Sequence, residues 1–349
     1  MAKSGAARVY FDVVGRFSSE RLLGDTQAAA TVQKAILIDT LGGINDSFME
    51  TTNQILMGVA SMTDAFFEFE QQFVRVRKFY NSESVDEVNR FAEAAVKMGE
   101  GFAFTGAEAL AASARTAQLK GVLGQQEAVI EAARAGLLMA QIGEMETEEG
   151  MNRFIQLAQQ TQFLYGGMTK AQYDALDAQK QANVVRESSI HTLNQLNTIE
   201  NSSVATMEDI TFVLNQFASQ ADIAGESIGE MAAMSALLLE TGEEVSRAGT
   251  GLRMIYQRLG NANNNATKAI AELVEGVDAQ GVAQMKLTDV LRAISPAYAQ
   301  MNSEQKRALA VNIAGSRHYI KFLKLMENQT RLTELQTIAF KSQFPAIEE

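Results

Sequence analysis

The sequence predicts an all-α protein, with helical hairpins and long helices in an elongated bundle and one short β-strand near the N-terminus. Three observations lead to this fold class. The 349 residues include only two prolines and no tryptophan, in a chain rich in alanine, glutamine, glutamate, leucine and methionine. Apolar residues recur at helical spacing along most of the chain. Several serine or threonine residues stand three positions before a glutamate or glutamine, which is the spacing of a helix-capping box.

Composition and charge argue against several classes of function. A net charge of −12 disfavours a nucleic-acid-binding surface, because phosphate binding needs clustered lysine and arginine. The strongest basic cluster, Arg75, Arg77 and Lys78, is expected to be a solvated helix face. The absence of cysteine rules out disulfides, thiolate catalysis and zinc fingers, and it suits a reducing cytoplasm. Only His191 and His318 are available for a transition metal, so we expect no metal site and no cofactor.

The sequence shows neither a secretory leader nor a membrane span. The first residues after Met1 lack an apolar stretch of the required length. The longest apolar run, Met231 to Leu239, is about half the ~18 residues that a membrane-spanning helix needs.

The N-terminal segment, 1–45, is predicted to hold a strand and a helix. Ala7 to Phe17 is β-branched and aromatic with alternating polarity, as in a half-buried strand. A helix is expected from Thr26 to Thr40, stopped by Gly42 and Gly43.

The next segment, 46–80, carries a heptad pattern that predicts one helix of about 50 Å. Its apolar heptad positions are expected to form the seam of an oligomer or of a helical bundle. The bulky phenylalanines in this seam favour a bundle larger than a two-stranded parallel coil. The spacing alternates strictly between four and three along Phe48, Thr52, Ile55, Val59, Met62, Phe66, Phe69, Phe73, Val76 and Tyr80.

A first helical unit is predicted over 81–205. It begins with a buried-face pattern that includes Phe91 and Ala95. A helix is expected from Thr147 to Leu164, followed by a turn at Gly166 and Gly167. Thr169, with Gln172 three positions on, is expected to open one helix that runs to near Ser203.

A second helical unit is predicted over 206–327, followed by the start of a further helical segment over 328–349. Its first helix, Met207 to Ala224, places Ile210, Val213, Leu214, Phe217 and Ala218 on a buried face. Each of these residues lies 122 positions after a counterpart in the first unit. We interpret 84–140 and 206–260 as an internal duplication of a small-residue helical unit.

The central stretch of the second unit, Gly225 to Leu259, is predicted to form a helical hairpin. Ser227 with Glu230, and Thr241 with Glu244, have capping-box spacing at the start of each helix. The small residues Ala248, Gly249 and Gly251 would let another helix approach closely, and Gly260 is expected to end the second helix.

The rest of the second unit is predicted to alternate short helices and loops. A polar hinge at 261–265 precedes a helix from Ala266 to Glu275 and a loop from Gly276 to Lys286. A helix from Leu287 to Ile294 is expected to end at Pro296. Ser303 is expected to cap a long final helix that contains Gly315.

Most of the chain resembles the core region of tail tape measure proteins of tailed phages. The resemblance rests on many weakly specific positions in order and covers about 60 to 330. Its marks are the Ala-Gly-Thr-Gly-Leu-Arg run at 248–253, a Gly-Val turn at 276–277, Leu-x-Asp-x-Leu at 287–291, a Ser-x-Gln-Lys cap at 303–306 and a Gly-x-Arg at 315–317. His318 and Tyr319 depart from the small or apolar residues typical of the family.

The resemblance implies a structural and assembly protein without an active site. Such proteins are mostly helical, lie in the tail tube lumen of the virion after synthesis in the host cytoplasm, template tube polymerisation and set tail length. It also implies a homo-oligomer whose partners are tail tube subunits, tail assembly chaperones and tail-tip proteins, without specific binding to the nearby DNA. Because family members are usually longer, this chain is expected to be either an amino-terminal portion or a short member, and we favour the amino-terminal portion.

Two alternatives remain open. One is a generic α-helical interaction scaffold or effector. The other is a serine hydrolase, because 225–229 matches G-x-S-x-G around Ser227, and Asp289 and His318 follow in hydrolase order. That motif requires a preceding strand, whereas the preceding segment has helical periodicity. The acidic run 144–149 is expected to be a solvated helix start rather than a cation site.

Overall fold

The computed structural model describes Phe91, Ala94, Ala95 and residues 106–342. The chain divides into two units, 1–66 and 67–349, and every described residue belongs to the second. The predicted strand at 7–17, the helix at 26–40 and the heptad seam at 48–80 lie outside the described residues. Phe91 and Ala95 are helical and fully buried, as their pattern predicts.

Within the described part, all regular structure is helical and there is no strand. The fold class is therefore confirmed for these residues. The α-helices in chain order are α1 Gly106–Thr116, α2 Lys120–Leu123, α3 Gln126–Ile142, α4 Thr147–Gln160, α5 Lys170–Asp174, α6 Ala178–Asn201, α7 Met207–Ile223, α8 Ile228–Glu240, α9 Val245–Leu259, α10 Asn265–Ala271, α11 Ala279–Val282, α12 Leu287–Gln300, α13 Ser303–Ala314, α14 Tyr319–Glu327 and α15 Gln329–Lys341. Short 3₁₀ turns lie at Ala117–Leu119 and Phe163–Tyr165.

Helix α8 is the central element of this unit. Every residue from Ile228 to Leu238 is buried, so the helix is covered on all sides. It contacts α6, α7, α9, α14 and α15. The C-terminal helix α15 therefore returns to the middle of the unit and packs on α6 and α8.

The remaining helices pack mainly around α3, α7 and α13. Helix α3 lies against α1, α4 and α6, and α7 lies against α4, α8 and α9. Helix α13 contacts α9, α10 and α14. The buried apolar side chains from all these helices form one continuous core. Within it, α8 and α9 each contact several other helices.

The helix predicted over 207–224 is confirmed as α7, and its five predicted core residues are all fully buried. Gly166 and Gly167 form the predicted turn with φ of 60° and 81°, in the left-handed region that favours glycine. The hairpin predicted over 225–259 is confirmed as α8 and α9.

The single helix expected from Thr169 to near Ser203 is two helices. Thr169 and Gln172 form the expected capping box, but α5 ends at Asp174. Asp177 then caps α6 by accepting from the Lys180 backbone N–H at 2.9 Å. An aspartate at this position competes for backbone donors and starts a new helix. Upstream, α4 ends at Gln160 rather than Leu164.

Helix boundaries after α9 also differ from expectation. Helix α10 ends at Ala271 rather than Glu275. Helix α12 continues through Pro296 to Gln300. Pro296 and Arg292, whose carbonyl loses its helical partner, are both exposed, so water can replace the lost hydrogen bond. The long final helix is broken at Gly315, where φ of 80° and ψ of 162° leave the helical region. The expected loop at 276–286 contains the one-turn helix α11, capped by Asp278.

The cap of α13 is Asn302 rather than Ser303. The Asn302 side chain accepts from the Gln305 N–H at 2.9 Å, and the Gln305 side chain accepts from the Asn302 N–H at 2.9 Å. Ser303 is the first residue of the helix. An Asn-x-x-Gln box fits the same stretch one residue earlier, and asparagine caps at least as well as serine.

Candidate functional site

The candidate site is centred on the start of α8, where the chain turns out of α7. The Ser227 N–H donates to the Glu230 carboxylate at 2.7 Å, and the Glu230 N–H donates to Ser227 Oγ at 3.2 Å. Ser227 Oγ also lies 2.9 Å from Glu230 Oε2, to which it donates. The predicted capping box is therefore present, and it occupies the serine hydroxyl.

Glu226, one residue earlier, joins this turn to a helix distant in sequence. One carboxylate oxygen accepts from the Thr288 N–H at 3.0 Å, and the other accepts from Thr288 Oγ1 at 3.0 Å. The Tyr256 side chain lies beside this carboxylate and acts to lower its pKa, and its hydroxyl donates to Met234 Sδ at 3.9 Å. The residue before α12, Lys286, provides no side-chain cap. Glu226 thus caps α12 from another part of the chain.

Burial has the largest effect on the pKa of Glu226. The residue is 4% exposed, and the loss of water raises its pKa to about 7 in spite of the bonds from Thr288. The neighbouring Glu230 carboxylate acts in the same direction. Burial also raises the pKa of the Tyr256 hydroxyl, and Glu226 adds to that rise.

Glu230 titrates in the opposite direction. Burial by itself would raise its pKa, but the bonds from Ser227 and Lys286 outweigh burial and lower it. Lys286 Nζ lies 3.0 Å from Glu230 Oε2. Gln336 Nε2 donates to Thr288 Oγ1 at 3.3 Å and brings α15 into the same network. Four helices, α8, α9, α12 and α15, are therefore connected through side chains around one buried carboxylate.

The surroundings of Ser227 differ from those of a hydrolase nucleophile. The motif G-x-S-x-G follows helix α7, whereas a nucleophile elbow follows a strand. Asp289 pairs with Arg292 at 3.1 Å. His318 lies beside Lys321 and Arg317, and burial together with these cations lowers its pKa. Ser227, Asp289 and His318 thus each have neighbours other than the partners that a catalytic triad would give them.

The corner between α8 and α9 is built differently from the predicted Thr241–Glu244 box. Thr241 is the C-cap that follows the last residue of α8, and its hydroxyl donates to the Leu238 carbonyl at 2.9 Å. Glu244 is itself the N-cap of α9, because its carboxylate accepts from the Ser246 and Arg247 N–H groups at 3.0 Å. Gly242, with φ of 81°, makes the turn and shifts the cap three residues along the chain.

Cations from the last two helices hold this corner. Glu243 lies 2.8 Å from Lys321 Nζ and 2.6 Å from Lys324 Nζ. Lys324 also donates to the Thr241 carbonyl at 2.8 Å. Burial would raise the pKa of Glu243, but the hydrogen bonds from both lysines lower it. Nearby, Arg331 forms a two-bond pair with the Glu240 carboxylate.

The small residues of α9 lie at helix contacts. A Cβ on Gly249 would stand 2.7 Å from Gln216 Cδ on α7, and one on Gly251 would stand 2.9 Å from Lys321 Cγ on α14. Ala248 is fully buried. A closer approach, missed from sequence, is Gly150 on α4, where a Cβ would stand 2.5 Å from the Ala140 Cα on α3.

A groove of about 1,070 Å³ opens beside the capping box. It lies between the Gly166–Gly167 turn, α6 and the start of α8, and Asp222, His191 and Phe340 are among its lining residues. Asp222, in the last turn of α7, accepts from the Gln162 N–H at 3.2 Å and so ties the end of α7 to the stretch that follows α4. The hydroxyls of Ser188 and Ser227, which also line the groove, donate to the Val184 carbonyl and to Glu230.

The acidic run 144–149 begins α4 as expected. Glu146 precedes the helix, Glu148 pairs with Arg115 at 2.7 Å, and Glu149 pairs with Arg153 at 2.9 Å. Among the described residues, no group of three or more histidine, aspartate or glutamate side chains is placed to hold a metal ion. No helix in this part of the chain is long and apolar enough to span a membrane.

The partners of Glu226 could not be found from sequence. Thr288 and Tyr256 lie 62 and 30 positions away, and Gln336, which joins the network through Thr288, lies 110 positions away. No spacing rule links these residues to a glutamate before a serine cap. The only local signal is an acidic residue next to a cap.

A family model described as "phage-related minor tail protein" matches residues 92–315. The matched range includes the capping box, Glu226, Tyr256 and Thr288, whereas the cations that hold the α8–α9 corner lie beyond it. No curated protein and no solved structure matches the chain.

Proposed function

The chain belongs to the phage-related minor tail protein family, whose model matches more than half of it, and from this we propose that it is a tail tape measure protein. In this role it lies in the lumen of the tail tube, templates tube polymerisation and sets tail length. The observation that carries the proposal is the family match, which coincides with the part of the chain that resembles the tape measure core. Tail location and a structural role follow from the family, and the measuring role is the proposed step.

The helical fold supports a measuring role on physical grounds. A helix advances about 1.5 Å per residue, so the length of a helical chain sets a defined distance. The described residues are built from helices joined by short turns. We expect 46–80, with its heptad pattern, to be a measuring segment, and the compact helices after residue 106 to be an assembly node.

The partners that we propose are tail tube subunits, tail assembly chaperones and tail-tip proteins, together with further copies of this chain. We propose no specific DNA contact, since the net charge is −12.

An in-frame duplication of 46–80 in the encoding phage tests the measuring role. The insert adds five heptads and keeps the apolar seam in register, so tails should lengthen by about 50 Å in electron micrographs. The matched control is Glu226→Gln, which changes the node but not the chain length, and its tails should keep the parental length. Tails of parental length that contain the lengthened protein would contradict the measuring role of this segment and favour the helical scaffold.

We also propose that the protein has no catalytic activity of its own. Support comes from Ser227, whose hydroxyl is engaged by Glu230, and from the helix that precedes its motif. A serine-reactive phosphonate probe, followed by peptide mass spectrometry, should leave Ser227 unlabelled. Labelling at Ser227 that disappears in Ser227→Ala would establish the hydrolase alternative instead.

A further inference from the structure

The groove beside the capping box has apolar side chains along its walls. Phe163, Val184 and Ile190 line it and are only partly buried. Phe340 also lines it and is 53% exposed, which is unusual for a side chain of its size. The volume of about 1,070 Å³ reaches the upper end of the range of roughly 300 to 1,000 Å³ that is typical of small-molecule sites. The groove can therefore receive several apolar side chains of a protein segment.

Carboxylates outnumber arginine and lysine along the groove. Glu187, Asp222 and Glu226 are described lining residues, and Arg186 is the single arginine or lysine among them. Asp222 takes part in none of the ion pairs formed within the described part of the chain. Burial raises its pKa, which the hydrogen bond from the Gln162 N–H offsets only in part. A cation beside Asp222 would therefore stabilise its charged form.

The segment 73–80 has the complementary chemistry. It lies outside the described residues and reads FVRVRKFY, so it combines the strongest basic cluster of this acidic chain with aromatic and β-branched residues. On the helix predicted there, one face carries the residues at positions i, i+3, i+4 and i+7, which are Phe73, Val76, Arg77 and Tyr80. This is the spacing by which an amphipathic helix anchors in a groove. The face is apolar except for one cation, and the groove is apolar with a carboxylate that lacks an ion pair.

The groove lies within reach of this segment. Both belong to the same unit, 67–349. Residues 81–90 join Tyr80 to Phe91, which is buried in the core, and this connection can extend about 36 Å. The radius of gyration expected for a compact unit of this size is roughly 19 Å. The connection is about twice as long as this radius and so permits docking in the groove.

Charge also distinguishes 73–80 from the segment that follows α15. Residues 343–349 come soon after Phe340 in the chain and include apolar residues, but their charged side chains are Glu348 and Glu349. These carry the same sign as the carboxylates of the groove, which makes their approach unfavourable. The basic segment is therefore the better fit.

We propose that the groove is a docking site for 73–80 of the same chain, with the apolar face of this helix on the groove wall and Arg77 paired with Asp222. The apolar residues of that face are also the last three positions of the heptad seam. A docked chain therefore cannot offer them to another helix, and the contact is autoinhibitory for pairing through the end of the seam. The contact is independent of the tail-length role, because it forms within a single free chain.

A tryptophan on the groove wall can report the contact, because the chain contains no other tryptophan. In Phe340→Trp we expect blue-shifted indole emission, since 73–80 covers the ring. Adding Arg77→Glu or Asp222→Lys should shift the emission to the red, because each substitution places like charges together. Adding both should restore the blue-shifted emission, since the pair again carries opposite charges. Damage to the groove by either substitution alone would not be repaired in this way.

The matched control is Arg75→Glu, which makes the same charge change on the opposite face of the predicted helix and should leave the emission unchanged. Emission that is the same with and without Arg77→Glu would overturn the docking of 73–80. A red shift on removal of 343–349 alone would assign the groove to that segment and overturn the proposal. A red shift on dilution of Phe340→Trp would overturn the same-chain contact in favour of a second copy.

Cross-linking gives a second measurement, which identifies the paired residues. A carbodiimide joins a lysine amine to a carboxylate in contact with it, so Arg77→Lys should give a cross-link between positions 77 and 222 within a chain of 38.0 kDa. Arg75→Lys should give no cross-link to Asp222, and Asp222→Asn should abolish the link formed by Arg77→Lys. Absence of that link in Arg77→Lys would overturn the pairing of Arg77 with Asp222.

Discussion

Glu226 shows how burial and hydrogen bonding compete at a single residue. Its carboxylate accepts two bonds from Thr288, which favour the charged form, yet the loss of water is larger and raises the pKa to about 7. In the unfolded chain the carboxyl has its ordinary pKa near 4.5. Between these two values the folded protein holds a proton that the unfolded chain has lost.

This difference makes stability fall as pH rises. The contribution of Glu226 is complete below pH 4.5 and is lost as pH rises through about 7. From pH 5.5 to 8.5 we expect a loss of about 2 kcal/mol from this residue. Glu226→Gln should remove that part of the slope in urea unfolding curves measured across the range.

Glu230→Gln provides the contrasting case on the same turn. The folded pKa of Glu230 is lowered, so its contribution is present at neutral pH and is lost as pH falls. Glu230→Gln should therefore lower the free energy of unfolding most at neutral pH. An unchanged slope in Glu226→Gln, or the same slope change in both variants, would contradict the assigned directions.

At the residue scale, sequence predicted what is local and missed what is distant. Ser227 and Glu230 are three positions apart on one helix, so their spacing was sufficient. The close contact of Gly150 with Ala140 depends on how α4 crosses α3 and has no signature in either segment. The same reason hides the partners of Glu226.

At the scale of elements, the start of α13 has two candidate N-caps, Asn302 and Ser303, which mutation can distinguish. Asn302→Ala should lower the free energy of unfolding by about 1 kcal/mol, because the Gln305 N–H loses its acceptor. Ser303→Ala should change it by less than about 0.5 kcal/mol, since the structure gives the cap to Asn302. Thermal unfolding of both variants measures the difference. A larger loss in Ser303→Ala would move the cap back to the serine.

Helix existence was easier to predict than helix ends. The cores of α7, α8 and α9 follow directly from the spacing of their apolar residues. Their ends depend on competition between neighbouring residues for backbone groups, as at Asp177. They also depend on exposure, which decides whether Pro296 ends a helix or is tolerated within it. Neither factor is contained in apolar periodicity.

At the scale of the molecule, the α8–α9 corner depends on charges from α14. Glu243→Gln leaves the buried Lys321 and the half-buried Lys324 beside each other without a carboxylate, so we expect a loss of about 3 kcal/mol in the free energy of unfolding. Hydrogen exchange in α14 should also become faster, because its attachment to the corner weakens.

The control for this prediction is an exposed ion pair. Asp289→Asn removes the partner of Arg292 at the surface and should change the free energy of unfolding by less than about 0.5 kcal/mol. Equal effects of the two substitutions would show that the buried corner is no more important than a surface pair.

The sequence predicted an all-helical unit and placed its hairpin, but it did not predict the arrangement around α8. A helix that is apolar on every side must be surrounded, yet its own residues do not say by which neighbours. The return of α15 to α8 and α6 spans more than a hundred residues. Its buried face became evident only with these contacts.

The cap that Glu226 gives to α12 also sets an order of events during translation. Residue 226 leaves the ribosome 62 positions before residue 288. At ordinary elongation rates this interval is roughly 3 to 12 seconds. The first helices can therefore fold and present their acceptor before the N–H that needs it has been synthesised. Helix α12 can then dock, as soon as it is synthesised, on a surface that the earlier helices have already formed. The earlier part of this unit thus acts as a template for the folding of the later part.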